Sequence, residues 1–243
     1  MSKRKNHPRI HDYFALALTL TRQHYWMLLL NCITYFVVAA CLCVTGVGII
    51  AFGGIYAGFT KLLINAARNK QLVFCDSMSY GFYEGRWLKS LAFILLTLLA
   101  RLGPAIIAAG LFLFYGKDFW SGLASISAYS TFAIIAVLIA YVLYVVYFTT
   151  VWMFGVYFLV DHRISILQMF ASSHTLVKKA GFWDVFFTVL LLAVIPSIIA
   201  SFLPKMVMHL FYVAIMPYMS LVTASIYVLN TSNNRKTSHK LSQ

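Results

Sequence analysis

Residues Trp26–Ile64 form a nearly unbroken apolar run of 39 residues, WMLLLNCITYFVVAACLCVTGVGIIAFGGIYAGFTKLLI. As one α-helix this run would be about 58 Å long at 1.5 Å per residue. The hydrocarbon core of a bilayer is only about 30 Å thick, so two spans joined by a tight turn fit the run better than one. Thr45–Gly48 is the best turn, because glycine adopts the backbone angles of tight turns. Gly54 and Gly58 give the second span a G-x-x-x-G spacing, which allows close helix approach.

The composition of the whole chain agrees with a membrane protein. Hydrophobic residues make up 62% of the 243 residues and charged residues only 10%, with a mean hydropathy of +0.84. Soluble domains carry about 25% charged residues. A water-soluble fold of this composition would expose a large apolar surface, whereas long apolar runs suit a lipid environment.

Four further spans follow the first two. Gly103-Pro104 interrupts the third span, and the fifth span contains Pro196. The sequence therefore predicts an all-α, polytopic transmembrane helical bundle of about six spans. The later spans are predicted at about 88–114, within 130–160, at 182–203 and at 206–229, with an outer loop at 115–129. The domains are a basic N-terminal segment (residues 1–24), the six-span membrane domain (25–229) and a polar tail (230–243) expected to be disordered.

Short amphipathic segments between the spans are predicted to be interfacial helices. In the N-terminal segment, Ile10, Phe14, Ala17 and Leu18 share a helical face. Residues 161–181 also have an amphipathic pattern, and Ser165 with Gln168 has the spacing of a capping box. Asp76 could cap a third such helix, extending through Tyr83, within the polar segment 65–89.

The distribution of positive charge predicts the orientation. The net charge is +13, from 19 lysines and arginines against six acids. Sixteen of these 19 fall in segments that six spans place on one side, Lys117 and Lys205 fall on the other, and Arg101 lies within the third span. Since cytoplasmic loops are enriched in lysine and arginine, both termini are predicted to be cytoplasmic. Charges dispersed between spans form no basic domain for nucleic acid, and they favour anionic phospholipid headgroups instead.

Several stretches between Trp26 and Leu229 carry a resemblance to a known group of proteins. They are Gly53–Gly58, Phe74–Phe82, Gly103-Pro104, Trp152–Asp161, Ser172–Lys179 and Met216–Tyr218 ahead of Tyr227. Their order resembles the six-helix bacterial membrane proteins related to the membrane domain of glycerophosphodiester phosphodiesterases. The resemblance implies a multi-pass protein of the bacterial cytoplasmic (inner) membrane. The phosphodiesterase activity of that group belongs to a separate soluble domain. The group often has an acidic pair after the fourth span, whereas Asp161-His162-Arg163 keeps one acid.

Arg101 is the candidate ligand-binding residue, together with Tyr144. A charge near the centre of a span costs about 2.5–3.5 kcal/mol on insertion scales. No aspartate or glutamate lies at a comparable depth in any predicted span. The partners of Arg101 must therefore be carbonyls released near Pro104, hydroxyls such as that of Tyr144, water, or a phosphate or carboxylate ligand. A structural arginine and an anion-binding arginine are both compatible with the sequence.

No pattern for catalysis, metal binding or a cofactor is found. The four cysteines lack C-x-x-C spacing. His162, His174 and His209 are not predicted to lie on one side of the membrane, so they do not form a ligand set. Ser172-Ser173-His174 are adjacent in sequence, but a nucleophile and its base require spatial geometry.

The sequence thus favours a non-enzymatic protein that contacts membrane lipid or acts as a scaffold. The alternative is a small transporter or channel-like protein with a polar site around Arg101, because substrate sites near the bilayer midplane are built at interrupted helices. An enzyme acting on lipid is the third hypothesis.

Overall fold

The computed structural model describes residues 8–44, 48–74, 76–123 and 128–241, and these residues fold into helices joined by short connections. The helices are α1 (Ile10–Val44), α2 (Gly48–Ala67), α3 (Asp76–Tyr80), α4 (Arg86–Leu123), α5 (Ala128–Trp152), α6 (Gly155–His162), α7 (Ile166–Ala180), α8 (Phe182–Ser201) and α9 (Lys205–Leu241). A single 3-10 turn, Tyr83–Gly85, joins α3 to α4. The predicted all-α helical bundle is confirmed.

Five helical stretches in the described part of the chain are long and apolar enough to cross a membrane. They are Ile10–Leu42, Tyr83–Ile107, Ile135–His162, Phe182–Ser201 and Val207–Ser232. Many of their large apolar side chains are exposed, including Ile107, Val137, Leu143 and Ile198. Because lipid, unlike water, solvates such side chains well, the chain is a multi-pass membrane protein. The second predicted span corresponds to α2, which is not among the five. Of the turn predicted at Thr45–Gly48, residues 45–47 lie outside the described residues and Gly48 begins α2.

Four polar segments meet at one end of the bundle, which we call the basic end. Residues 8–24, 65–89, 161–181 and 230–232 are joined there by side-chain contacts. His24 lies 3.3 Å from the Asn69 side-chain oxygen, Arg68 binds Asp161, and Lys179 donates to the carbonyl of Asn230. The segments that the six-span prediction placed on one side of the membrane therefore lie at one end of the fold.

The N-terminal helix packs against α9 through a face that partly overlaps the predicted one. α1 has a kink at His24 (φ −125°, ψ 19°), at the predicted boundary between the basic segment and the first span. Before the kink, Tyr13, Ala17 and Leu20 are buried, whereas Leu18 is exposed. The Asn230 amide donates to the Tyr13 hydroxyl at 3.1 Å. Of the predicted face, Ala17 is buried and the Phe14 ring lies 6.4 Å from that of Tyr218 on α9, whereas Leu18 stays outside the contact.

α7 begins and ends as its sequence predicts. Ser165 accepts from the Gln168 backbone N–H while the Gln168 side chain accepts from the Ser165 N–H, which confirms the capping box. Lys178 and Lys179 occupy the last turn, where they oppose the negative end of the helix dipole. The buried Ser173 also holds the break between α5 and α6, because its Oγ donates to the Val151 carbonyl (2.7 Å) and accepts from the Phe154 N–H (3.1 Å).

Gly54 and Gly58 of α2 receive the α3 segment rather than another span, whereas Gly53 lies against Trp87 and Leu91 of α4. A Cβ on Gly58 would lie 2.6 Å from the Ser77 carbonyl oxygen, and one on Gly54 would lie 2.6 Å from the Phe82 ring. Gly81 sits directly against the backbone of Gly54. The G-x-x-x-G spacing thus does serve a close approach, but the partner is the interfacial segment that follows α2.

Three sequence predictions are corrected by the long helices. α4 passes through Gly103 and Pro104 without interruption and continues to Leu123, across most of the predicted outer loop. α9 continues to Leu241, so the tail predicted to be disordered is helical over its described residues. No glycine or proline follows Leu229 to end α9, and the Thr231 hydroxyl returns a hydrogen bond to the Tyr227 carbonyl.

Candidate functional site

Arg101 borders a cavity of about 230 Å³ within the membrane-spanning part of the bundle. α2 supplies Phe52 and Tyr56, α4 supplies the face that carries Arg101, and the α5–α6 junction closes the remaining side. The full wall consists of Phe52, Tyr56, Phe93, Ile94, Thr97, Leu98, Arg101, Trp152, Met153 and Val156. The cavity is therefore largely aromatic and aliphatic, with one positive charge and two hydroxyls.

The polar groups of the cavity differ in how they are satisfied. Thr97 is buried and donates to the Phe93 carbonyl at 2.6 Å, so its proton is committed to its own helix. The Arg101 Nε is buried with no hydrogen-bond partner among the described residues. No acid of the described chain forms an ion pair with Arg101. Arg101 thus borders a largely apolar cavity, and its cation has no protein counter-charge within the described residues.

Tyr144, predicted beside Arg101 as a ligand contact, instead repairs the helix that carries Arg101. Pro104 has no N–H, so the carbonyl of Ala100, four residues earlier, loses its helical partner. The Tyr144 hydroxyl donates to this carbonyl at 2.8 Å. Tyr141 donates to the carbonyl of Arg101 at 3.1 Å. These two bonds tie α5 to α4 and explain why α4 continues through its proline.

Tyr144→Phe is expected to lower the free energy of unfolding by about 1 kcal/mol, because the Ala100 carbonyl then lacks a donor in an apolar environment. The matched control is Tyr147→Phe on the same helix. Tyr147 is exposed and its hydroxyl has no partner among the described residues, so a change below about 0.5 kcal/mol is expected. Unfolding of both variants in mild detergent measures the difference. Equal losses of unfolding free energy in the two variants would show that the Tyr144 hydroxyl does not stabilise α4 through the Ala100 carbonyl.

A second polar site at the basic end centres on Asp161. Its two carboxylate oxygens accept from the Arg68 guanidinium in a bidentate pair, at 2.8 and 2.6 Å. Tyr227 donates to the same carboxylate at 3.0 Å, and His162 lies 3.4 Å away. The hydrogen bonds from Arg68 to Asp161 raise the pKa of the Arg68 guanidinium above its usual value. The Arg68–Asp161 pair joins the end of α2 to the end of α6, and the Tyr227 hydrogen bond adds α9.

Tyr80 joins the neighbouring cations to this site. Its ring lies beneath Arg86 (4.0 Å) and Lys61 (4.7 Å), and its hydroxyl donates to the Val160 carbonyl at 2.8 Å. Arg86 also donates to Glu84, which forms a second pair with Arg163. The function of this cluster is to hold the α3 segment, α6 and α2 together at the basic end.

The sequence predicted Arg101 but missed Tyr56 and the ion pair of Asp161. Asp161 is one of only six acids and follows a span, and this position is the signal that could have indicated a partner on a basic loop. Which of the several cations in that loop would bind it depends on how α2 and α6 pack. Tyr56 carries no signal of its own, because its contact with the cavity depends on which face of α2 meets α4.

Comparison of the chain with protein-family models, with curated proteins and with solved structures finds no match. The resemblance to the membrane domain of glycerophosphodiester phosphodiesterases therefore stays a prediction.

Among the described residues, no group of three or more histidines, cysteines, aspartates or glutamates lies close enough to hold a metal ion. The candidate functional sites are therefore the Arg101 cavity and the polar site at Asp161.

Proposed function

We propose that this multi-pass protein has a non-enzymatic, lipid-contacting role in a bacterial cytoplasmic membrane, with both termini in the cytoplasm. The basic end then faces anionic phospholipid headgroups. The sixteen-to-two distribution of lysine and arginine supports this orientation.

The observation that carries the proposal is the juxtaposition of exposed apolar and basic side chains around α7. Leu167 is 81% exposed, and Trp183 at the start of α8 is also exposed. Arg163, which precedes α7, and Lys178, in the last turn of α7, are exposed as well. Water would penalise the apolar members of this surface, whereas the boundary between headgroups and acyl chains accommodates both kinds. Each lysine or arginine near an anionic membrane surface contributes about 1 kcal/mol of attraction.

The lipid content of the purified protein tests the proposal. We expect anionic phospholipid to be enriched over its share of the source membrane, as measured by mass spectrometry. The double variant Arg163→Gln/Lys178→Gln is expected to reduce that enrichment by about thirtyfold, since two attractions of about 1 kcal/mol are lost. Lys205→Gln, which removes one exposed lysine at the start of α9, away from the basic end, is the control and is expected to retain it. Wild-type protein without enriched anionic lipid would contradict the proposal.

A second candidate function is a small transporter or channel-like protein, and the Arg101 cavity favours it. A cation beside a proline within a span resembles the construction of midplane substrate sites in transporters. Anion flux into liposomes, compared between the wild type and Arg101→Ala, separates this function from the lipid-contacting role. Flux that depends on Arg101 would support transport, and flux at the level of protein-free liposomes would exclude it.

A further inference from the structure

The Arg101 cavity brings together two hydrogen-bond donors that no described residue satisfies. Neither the Arg101 guanidinium nor the Tyr56 hydroxyl makes a hydrogen bond to another described residue, although both border the same space. Arg101 comes from α4 and Tyr56 from α2, so the pair is assembled by the packing of two helices. Two convergent donors, one of them cationic, form a recognition site for an anion.

The charge balance of the cavity points in the same direction. Its described wall contains one cation and no acid. An unpaired charge at this depth in a bilayer is costly, and such residues pair with a partner of opposite charge or face a polar cavity. One bound negative charge neutralises Arg101, whereas a dianion would leave an excess negative charge among aromatic and aliphatic side chains. The site therefore suits a monoanionic group such as a carboxylate.

The opening of the cavity indicates where the ligand comes from. Phe52 is 38% exposed and Leu98 is 48% exposed, and both lie at the edge of the cavity on lipid-facing helix surfaces. A ligand that enters here comes from the hydrocarbon region. At about 230 Å³ the cavity is smaller than the roughly 300–1,000 Å³ of pockets that enclose a whole drug-sized ligand. It holds a small head and the first carbons of a chain, and the rest of that chain lies against the bundle.

We propose that the Arg101 cavity binds the carboxylate of a single-chain amphiphile of the fatty-acid class. Arg101 and Tyr56 donate to the carboxylate oxygens, and the aromatic wall of Phe52, Phe93 and Trp152 surrounds the adjoining methylenes. This inference rests on the proposed lipid-contacting function and assigns it a ligand at a site separate from the basic end.

Binding of radiolabelled palmitate to the full chain in nanodiscs of neutral lipid tests the assignment. Arg101→Gln is expected to weaken binding at least tenfold, because a charge-assisted hydrogen bond is lost. Tyr56→Phe is expected to weaken it about threefold to tenfold while keeping the ring and the charge of the cavity. Lys205→Gln removes an equal charge far from the cavity and is expected to bind as the wild type does. Methyl palmitate, which has the chain without the anion, is expected to compete poorly.

The outcomes separate the ligand class, the site and the general function. Equal affinity of wild type, Arg101→Gln and Tyr56→Phe would overturn the site. Competition by acetate or inorganic phosphate as strong as that by palmitate would overturn the amphiphile in favour of a water-borne anion. If Arg101→Gln fails to fold, Tyr56→Phe alone decides, and unchanged palmitate affinity would overturn the proposal. Loss of palmitate binding with the anionic phospholipid enrichment intact would distinguish this site from the surface around α7.

Discussion

Asp161→Asn is expected to lower the free energy of unfolding by about 3 kcal/mol. The Asp161 side chain is only 6% exposed, and its carboxylate accepts hydrogen bonds from both terminal guanidinium nitrogens of Arg68. Removal of the carboxylate charge leaves the Arg68 guanidinium, 20% exposed, without its counter-ion. Breaking a buried ion pair on one side typically costs about 3–5 kcal/mol, and the partial exposure of Arg68 places this case at the low end. Thermal or denaturant unfolding in mild detergent measures the loss.

The control for this prediction is Arg163→Gln, which breaks an exposed pair at the same end of the bundle. Arg163 binds Glu84 at 3.1 Å, with side chains 66% and 51% exposed. Exposed pairs contribute about 0–1 kcal/mol, so this variant is expected to unfold almost as the wild type does. Arg68→Gln, which removes the other partner, is expected to resemble Asp161→Asn. A small loss in both Asp161→Asn and Arg68→Gln would show that the pair does not join α2 to α6.

Gly81→Ala is expected to cost about 3 kcal/mol and to loosen the α3 segment from α2. A Cβ at Gly81 would overlap the backbone of Gly54, and the neighbouring backbone of Gly58 lies 2.8 Å from the Cβ position. Backbone atoms cannot rotate away as a flexible side chain can, so the segment must shift. Overpacking of this kind costs about 1–3 kcal/mol. The measurement is unfolding in detergent, combined with protease accessibility of residues 76–85.

Gly103→Ala is the matched control for Gly81→Ala. Gly103 lies inside α4, and no described atom is within 4 Å of its Cβ position. Alanine is favoured over glycine in a helix by about 1 kcal/mol, so stability is expected to be unchanged or slightly raised. Destabilisation by Gly103→Ala equal to that by Gly81→Ala would mean that crowding against Gly54 is not the cause.

The membrane-spanning character and the starts of most helices depend on local sequence, and they were predictable for that reason. Lipid selects long apolar runs, and the capping residues of α7 act within four positions of one another. The position of the polar segments at one end of the bundle also followed from the number of spans, since each span carries the chain to the opposite side of the membrane. By contrast, the interruption predicted at Pro104 was wrong, because the carbonyl that proline releases is satisfied by a residue 44 positions away, Tyr144.

The sequence by itself determined that lipid is the solvent of these helices, where most of them begin, and that Arg101 lacks an acid of similar depth. Each of these is a property of a residue and its near neighbours. Only the tertiary structure decided that Tyr56 faces Arg101, that Arg68 rather than another cation binds Asp161, and that Gly54 receives Gly81. These pairings depend on the rotation and depth of whole helices, which packing between distant segments fixes and which no local pattern contains.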